Sequence, residues 1–469
     1  MLITSISGIR GTIGNTVGNN LTPIDVVSFV SAYGSWILSK NTRTEKPTIV
    51  IGRDARTSGE MILNLTINTL IGLGINVINL DLATTPTVEM SVISQKANGA
   101  IIVTASHNPK EYNGLKMLNS EGEFLSATDG AEILKLAQEN KHSFADVDNL
   151  GLVERSYNHT AEHIEAILNL DLVDVDLVKS KKYTIVLDAI NSVGGIAVPM
   201  LLEKMGVEVI GLYCEPNGEF KHAPEPLEQN LGDLKSLVGK VSADLGIAVD
   251  PDVDRLVLVD EQGNMFGEEY TIVAIGDYVL SETPGNTVSN LSSSRALVDI
   301  TTKYNQEYFA SAVGEKNVVE KMKEVKAVFG GEGSGGVIYP ELHYGRDALV
   351  GIALFLTYLA KRNITVSELR AEYPNYYMAK EKVVLNESID VDVVLEHFWK
   401  TYQSSVIANN EAISNISNID GIKIDFVDSW VHLRKSNTEP IMRIITEANT
   451  QKEANGLAER FITEINNIN

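Results

Sequence analysis

A chain of 469 residues, 44% hydrophobic and 22% charged, has the balance of a folded globular protein. At ~100–200 residues per domain it holds three or four domains. Its formal net charge of −23 argues against nucleic acid and anionic membranes as partners, since both are bound through excess lysine and arginine.

The first ten residues lack the charged start and long apolar core of a signal peptide. The single cysteine, Cys214, excludes an intramolecular disulfide framework and fits a reducing cytoplasm. From there strand and helix patterns alternate. Pro47 to Gly52 reads as a strand ending at Arg53-Asp54, residues 58–73 have helical spacing, and 75–82 are strand-like again. Gly99-Ala-Ile-Ile-Val103 has the composition of a buried strand and breaks into Ser106-His107-Asn108-Pro109, where asparagine before proline signals a turn. Ser106 therefore stands where a buried strand opens into a loop, the place where α/β sheets bind ligands. Ser-His-Asn is also the composition of a plain hydrogen-bonded turn. The polar stretch 139–160 reads as a linker.

A second α/β unit follows, with strands at 183–188 and 207–212 around a helix that ends near Met205. The apolar runs 244–250 and 256–260 are joined by Asp250-Pro-Asp252-Val-Asp254-Arg255. Three carboxylates at alternate positions can converge on one hard cation, and oxygen ligands suit Mg²⁺ or Ca²⁺. A calcium loop would gain Glu261 at its twelfth position. It fails at the sixth, where Arg255 replaces the required glycine, and in its flanks, which are strands. A solvated acidic turn is the alternative; Arg255 beside the carboxylates favours a place where metal and phosphate meet.

In a third unit, the strand Ala327-Val-Phe329 opens into a glycine-rich stretch. Gly331-Glu-Gly333-Ser-Gly-Gly336 has the letters of a dinucleotide fingerprint, but Val-Ile-Tyr-Pro340 starts no helix and Glu332 would face a pyrophosphate. Glu332 and Ser334 suit a ligand rich in hydroxyls; a flexible structural loop is the alternative. Residues 348–360 form the most apolar helical stretch, too short for the ~20 residues that span a bilayer, and so a core helix. The tail from Pro374 carries two amphipathic helical stretches and strands around 421–431. Near its end, Arg434-Lys-Ser436-Asn437-Thr438-Glu-Pro440 offers a guanidinium, hydroxyls and amides in one turn, the means of clamping a phosphate. A solvated basic turn is the alternative there. At the other end, Gly8-Ile-Arg10-Gly11 sets an arginine between glycines, which lets it approach an anion closely.

These five segments stand in the order of the markers of the α-D-phosphohexomutases, and the chain resembles that family over essentially its whole length. The resemblance implies an α/β fold of three related α/β domains with mixed, mostly parallel sheets, plus a smaller α+β C-terminal domain, around a central cleft. The implied divisions are 1–155, 156–258, 259–373 and 374–469. It implies that phosphoryl groups pass through Ser106, interconverting a hexose 6-phosphate and 1-phosphate by way of a bisphosphate. Asp250, Asp252 and Asp254 would hold Mg²⁺, with the phosphate on Ser106 as a further ligand. Arg255, Glu332 and Ser334 would face the substrate, and Arg434, Ser436, Asn437 and Thr438 would grip its non-reacting phosphate. Arg10, Lys116 and His107 become candidates for proton transfer or charge stabilisation. Two departures stand out: Gly336 replaces a histidine of some relatives, which shifts weight to Lys116, and Asn437 replaces a common glycine.

The opening and the Gly-Glu-Gly-Ser-Gly-Gly form look most like phosphoglucosamine mutases, implying glucosamine phosphates as substrates and a cytoplasmic monomer or homodimer. The rivals are a phosphoglucomutase or phosphomannomutase of the same mechanism, an aspartate-dependent phosphatase using Asp250, and an inactive sugar-phosphate-binding protein.

Overall fold

Isoleucine- and valine-rich runs such as Ile49-Val-Ile51 and Ile101-Ile-Val103 become strands buried on both faces, as parallel sheets covered by helices require. The computed structural model describes residues 2–5, 8–384, 391–407, 413–435 and 441–468. The first sheet contains β1 (Leu2–Ser5), β2 (Gly8–Thr12), β3 (Thr48–Arg53), β4 (Asn76–Leu82), β5 (Gly99–Val103), β6 (Tyr112–Leu118) and β7 (Val153–Arg155), in the order β1-β2-β6-β5-β3-β4-β7. The second contains β8 (Thr184–Asp188), β9 (Glu208–Leu212), β10 (Leu245–Val249) and β11 (Leu256–Val259), ordered β11-β10-β8-β9. The third contains β12 (Thr287–Asn290), β13 (Tyr308–Ser311), β14 (Phe329–Glu332) and β15 (Gly336–Ile338), ordered β13-β12-β14-β15.

One pattern runs through all three sheets. The first strand of each set pairs in parallel with the second and third, and the fourth returns antiparallel beside the third. The sets are β3 to β6, β8 to β11 and β12 to β15. The connection from third to fourth strand is residues 104–111 in the first set, 250–255 in the second and 333–335 in the third. Ser106, the three aspartates and Ser334 thus occupy the same topological position in successive units. The fourth sheet differs. Its strands β16 (Tyr377–Val384), β17 (Ile413–Ser417), β18 (Ile422–Phe426), β19 (Ser429–Lys435) and β20 (Ile441–Ala448) are all antiparallel, ordered β16-β20-β19-β18-β17.

Three details differ from the sequence reading. The stretch 139–160 is not a bare linker, because β7 within it pairs with β4 at the sheet edge. The strand expected over Ala327–Phe329 instead begins at Phe329 and runs to Glu332, its glycines packed against Met322 and Gly336 where a Cβ would collide. The first sheet has as many antiparallel as parallel pairings, because β1, β2 and β6 extend one side of it.

The second and third units share one apolar core around the helix Ala348–Arg362, which is buried from Ala348 to Ala360. The first unit and the fourth have cores of their own. Among the described residues no helix is long and apolar enough to cross a membrane.

Candidate active site

Ser106 lies three residues beyond β5 in a left-handed conformation, φ 49°, which costs an L-residue roughly 1–2 kcal/mol. Its surroundings hold it there. The Ser106 amide donates to Thr104 Oγ1 at 2.9 Å, and its carbonyl oxygen accepts from Arg56 Nη2 at 2.6 Å. Arg56, 1% exposed, also donates to the carbonyl oxygens of Asn108 (2.6 Å), Pro109 (2.7 Å) and Tyr112 (2.9 Å). Its own charge is met by Asp54 at 3.0 Å, and Asp54 accepts from Thr104 Oγ1 at 2.7 Å. One buried ion pair thus shapes the whole serine loop.

The Ser106 hydroxyl donates to Asp250 Oδ2 at 3.0 Å and lies 3.2 Å from His107 Nδ1. Burial, then Arg255 and Arg10, push the His107 imidazole well below its usual range, so it is neutral at pH 7. Arg10 sits on β2 rather than in a loop, and its Nη1 is 3.5 Å from Asn108 Oδ1.

Asp250, Asp252 and Asp254 are fully buried, with ligand oxygens all within 4.8 Å of one another. Burial and the two neighbouring carboxylates raise the Asp250 carboxyl well above its ordinary range. Burial pushes Asp252 and Asp254 the same way, but cations outweigh it and both are held low: Lys116 acts on Asp252, and Arg346 with Lys116 on Asp254. Lys116, carried on β6, reaches Asp252 Oδ2 at 2.6 Å and Asp254 Oδ2 at 3.2 Å. Burial would depress its ammonium; the two aspartates override that and keep it charged. Thr85 Oγ1 also donates to Asp252 Oδ2 at 2.6 Å.

The remaining oxygens, Asp252 Oδ1 and Asp254 Oδ1, are buried without a hydrogen-bond partner. Buried anionic oxygens require a partner, so a hard dication bound by the triad suits this donor set.

Arg255 is loosely held. Its Nη1 is 3.5 Å from Glu225, its Nε is 4.0 Å from Asp254 Oδ1 and has no hydrogen-bond partner, and its backbone amide is tied to Asp250, at 3.2 Å. Such a guanidinium is available to an anion. Glu332, at the end of β14, accepts from Asn290 Nδ2 (2.8 Å), the Gly314 amide (3.1 Å) and Arg346 Nη1 (2.6 Å). Ser334 is half-buried in the adjoining turn, where Gly335 at φ 84° lets the chain lie against the Leu256 carbonyl. Arg346 bridges loops: Nη2 holds Asp254 Oδ2 at 2.6 Å, while Nε holds Glu315 at 3.1 Å.

Arg434 lies within β19, one residue before its end, instead of in a turn; Nη2 meets Asp420 Oδ2 at 3.2 Å and Nε has no hydrogen-bond partner. Ser436, Asn437 and Thr438 lie outside the described residues.

Arg56, Arg346, Glu315 and Thr85 were not singled out from sequence. Arg56 had a signal of a kind, in Arg53-Asp-Ala-Arg56 directly after a strand.

The sequence matches the four successive domains described as phosphoglucomutase/phosphomannomutase: α/β/α domain I at residues 2–143, domain II at 161–263, domain III at 267–377 and the C-terminal domain at 389–464. A phosphoglucomutase/phosphomannomutase of Thermococcus kodakarensis is 33% identical over 95% of this chain and 94% of its own. A phosphoglucosamine/phosphogalactosamine mutase of Sulfurisphaera tokodaii is 30% identical over 97% of both. In fold, the chain resembles a phosphoglucomutase/phosphomannomutase family protein of Burkholderia thailandensis, with a TM-score of 0.82 and 24% identity over 99% of this chain and 98% of that one. With all four domains present in order, the chain belongs to the phosphoglucomutase/phosphomannomutase family of phosphohexomutase enzymes.

Proposed function

We propose that this enzyme interconverts glucosamine 6-phosphate and glucosamine 1-phosphate through a phosphoserine at Ser106, its four units dividing at 155, 258 and 373. The observation that carries the reading is the Ser106 hydroxyl, 3.0 Å from Asp250, beside a carboxylate triad with two buried oxygens that have no hydrogen-bond partner.

Asp250, Asp252 and Asp254 would hold Mg²⁺, which when bound neutralises the oxygens of the phosphoryl group. In the first half-reaction the bond from Ser106 Oγ to phosphorus breaks as one from the free sugar oxygen forms, giving a bisphosphate, and the proton of that sugar hydroxyl ends on Ser106 Oγ. In the second, after the sugar has turned over, the bond from its original phosphate oxygen to phosphorus breaks as Ser106 Oγ takes that phosphoryl group, and the proton that Ser106 releases ends on the freed sugar oxygen. The neutral His107 imidazole, 3.2 Å away, is within reach to accept that proton. Lys116, an ammonium between two carboxylates, cannot accept one and acts as fixed positive charge. Arg255 has free donors for the moving phosphate. Arg346 holds Glu332 in place for the sugar hydroxyls, and Arg434 grips the phosphate that is not reacting.

A second reading, glucose or mannose phosphates by the same chemistry, is favoured by the name of the Thermococcus relative. Intact-mass and peptide mass spectrometry test the mechanism: phosphate on Ser106 is expected, and its absence from active enzyme overturns the proposal. Comparing kcat/KM across the glucosamine, glucose and mannose phosphates decides the sugar.

A further inference from the structure

A second set of metal-ligating side chains lies outside the acidic loop. His163, on the helix His159–Leu168, meets His343 and Asp347 from the segment before the helix Ala348–Arg362, and their ligand atoms all lie within 4.8 Å of one another. All three are buried, at 2%, 5% and 0% exposed. Each imidazole is engaged from behind: Thr87 Oγ1 is 2.9 Å from His163 Nδ1, and Glu89 Oε2 is 3.4 Å from His343 Nδ1. Both Nε2 atoms are thereby aimed at one oxygen, Asp347 Oδ2, at 2.9 and 3.4 Å. The other oxygen, Oδ1, caps the helix by accepting from the Leu349 and Val350 amides.

Glu89 is the second, independent observation. It is 1% exposed, and neither of its carboxylate oxygens has a hydrogen-bond partner. Gly345 makes room for it, since a Cβ there would collide with Oε2. Among the described residues no lysine or arginine forms an ion pair with Glu89 or Asp347. Two buried carboxylates thus face two imidazoles with no lysine or arginine in ion-pair contact among the described residues, an arrangement that metals commonly complete. A dication would supply positive charge at Asp347 with both histidines neutral. Two nitrogens and one oxygen, with a hydroxyl and a carboxylate behind the imidazoles, form the donor pattern of zinc sites; Mg²⁺ prefers oxygen alone.

We propose that His163, His343 and Asp347 bind a transition-metal dication of the zinc type, with Glu89 and Thr87 orienting the histidines. His163 belongs to the second unit and His343 and Asp347 to the third, so the ion fastens these two together, with Thr87 and Glu89 of the first unit behind the histidines.

The test uses full-length protein stripped with chelator, reloaded with Co²⁺ in excess Mg²⁺ and desalted. One equivalent of Co²⁺ per chain is expected, with the visible absorption of a four-coordinate site containing nitrogen ligands. It should be lost in His163→Gln and His343→Gln and kept in Asp252→Asn, whose acidic loop is disabled. Should the histidine variants fail to fold, Zn²⁺ is titrated into stripped Asp252→Asn protein, where Tm should rise as it does not with Mg²⁺. Retention of no equivalent, retention by the histidine variants, loss in Asp252→Asn, or a Tm indifferent to Zn²⁺ overturns the proposal in favour of shared protons.

Discussion

Arg56 donates from Nη2 to the main-chain oxygen of Ser106 at 2.6 Å, so this buried guanidinium holds the backbone of the proposed nucleophile rather than a ligand. In Arg56→Lys a single ammonium cannot serve Asp54 and four carbonyl oxygens together. Leaving two or more buried acceptors unmet costs about 1–3 kcal/mol each. Chemical denaturation should show a loss of several kcal/mol, and kcat should fall more than KM rises. A variant with wild-type stability removes Arg56 as the organiser of the loop.

Ser106→Ala removes only the hydroxyl and keeps the carbonyl that Arg56 grips. Turnover should vanish while the circular dichroism spectrum and Tm stay near those of the parent. Substantial activity in the purified variant would mean that phosphoryl groups travel another way.

Three buried carboxylates repel one another, and Lys116 with Arg346 offsets only part of that. Exhaustive chelation should therefore abolish turnover and Mg²⁺ restore it. If the chelated enzyme keeps its full rate, the aspartates have no metal role in catalysis.

Arg434 has an unpartnered Nε and one contact to Asp420. In its proposed role as the clamp for the non-reacting phosphate, it would provide charge-assisted hydrogen bonds together worth on the order of 3 kcal/mol. Arg434→Ala should therefore lower kcat/KM about a hundredfold. The loss should appear from the 1-phosphate and the 6-phosphate alike, because each phosphate is the non-reacting one in turn. A change of less than about twofold leaves Arg434 an ordinary surface arginine, and a deep loss with one isomer alone confines it to one half-reaction.

His432 is fully buried between Ser292 Oγ (2.9 Å) and the Asp420 carbonyl (2.6 Å), and burial lowers its pKa to about 4. Unfolded, it titrates near 6.5. Between these values the unfolded chain binds more protons, so this contribution to stability is full above pH ~6.5 and is lost as pH falls towards 4. The span amounts to about 3 kcal/mol. His432→Gln should flatten the dependence of Tm on pH across that window. An unchanged slope would place the titrating group elsewhere.

Ser106 and the aspartates were legible because each stands where an apolar strand breaks into polar residues, a signal contained in a few neighbouring positions. Arg56 and Arg346 gave no comparable signal. Arg56 meets Ser106 from 50 positions away and Arg346 meets Asp254 from 92, and no local spacing encodes such pairings. The threefold unit was suggested by size but not by residues, because what recurs is strand order and direction. β2 and β6, polar at Arg10, Asn113 and Lys116, lack the apolar run that announced β5. Arg434 was expected in a turn because its neighbours are polar; the apolar residues Trp430, Val431 and Leu433 before it draw it onto β19.

Thr85 of the first unit bonds Asp252 of the second through amide and hydroxyl, and the second and third units share one core. The fourth unit has its own core and meets the third through polar contacts such as His432 with Ser292, Glu447 with the Arg295 amide and Asp420 with the Val313 amide. For protein engineering, the molecule is therefore a block and an exchangeable cassette. A hybrid joined between the third and fourth units takes its phosphate grip from one parent. On the roles proposed for Glu332 and Ser334, its sugar preference stays with the other.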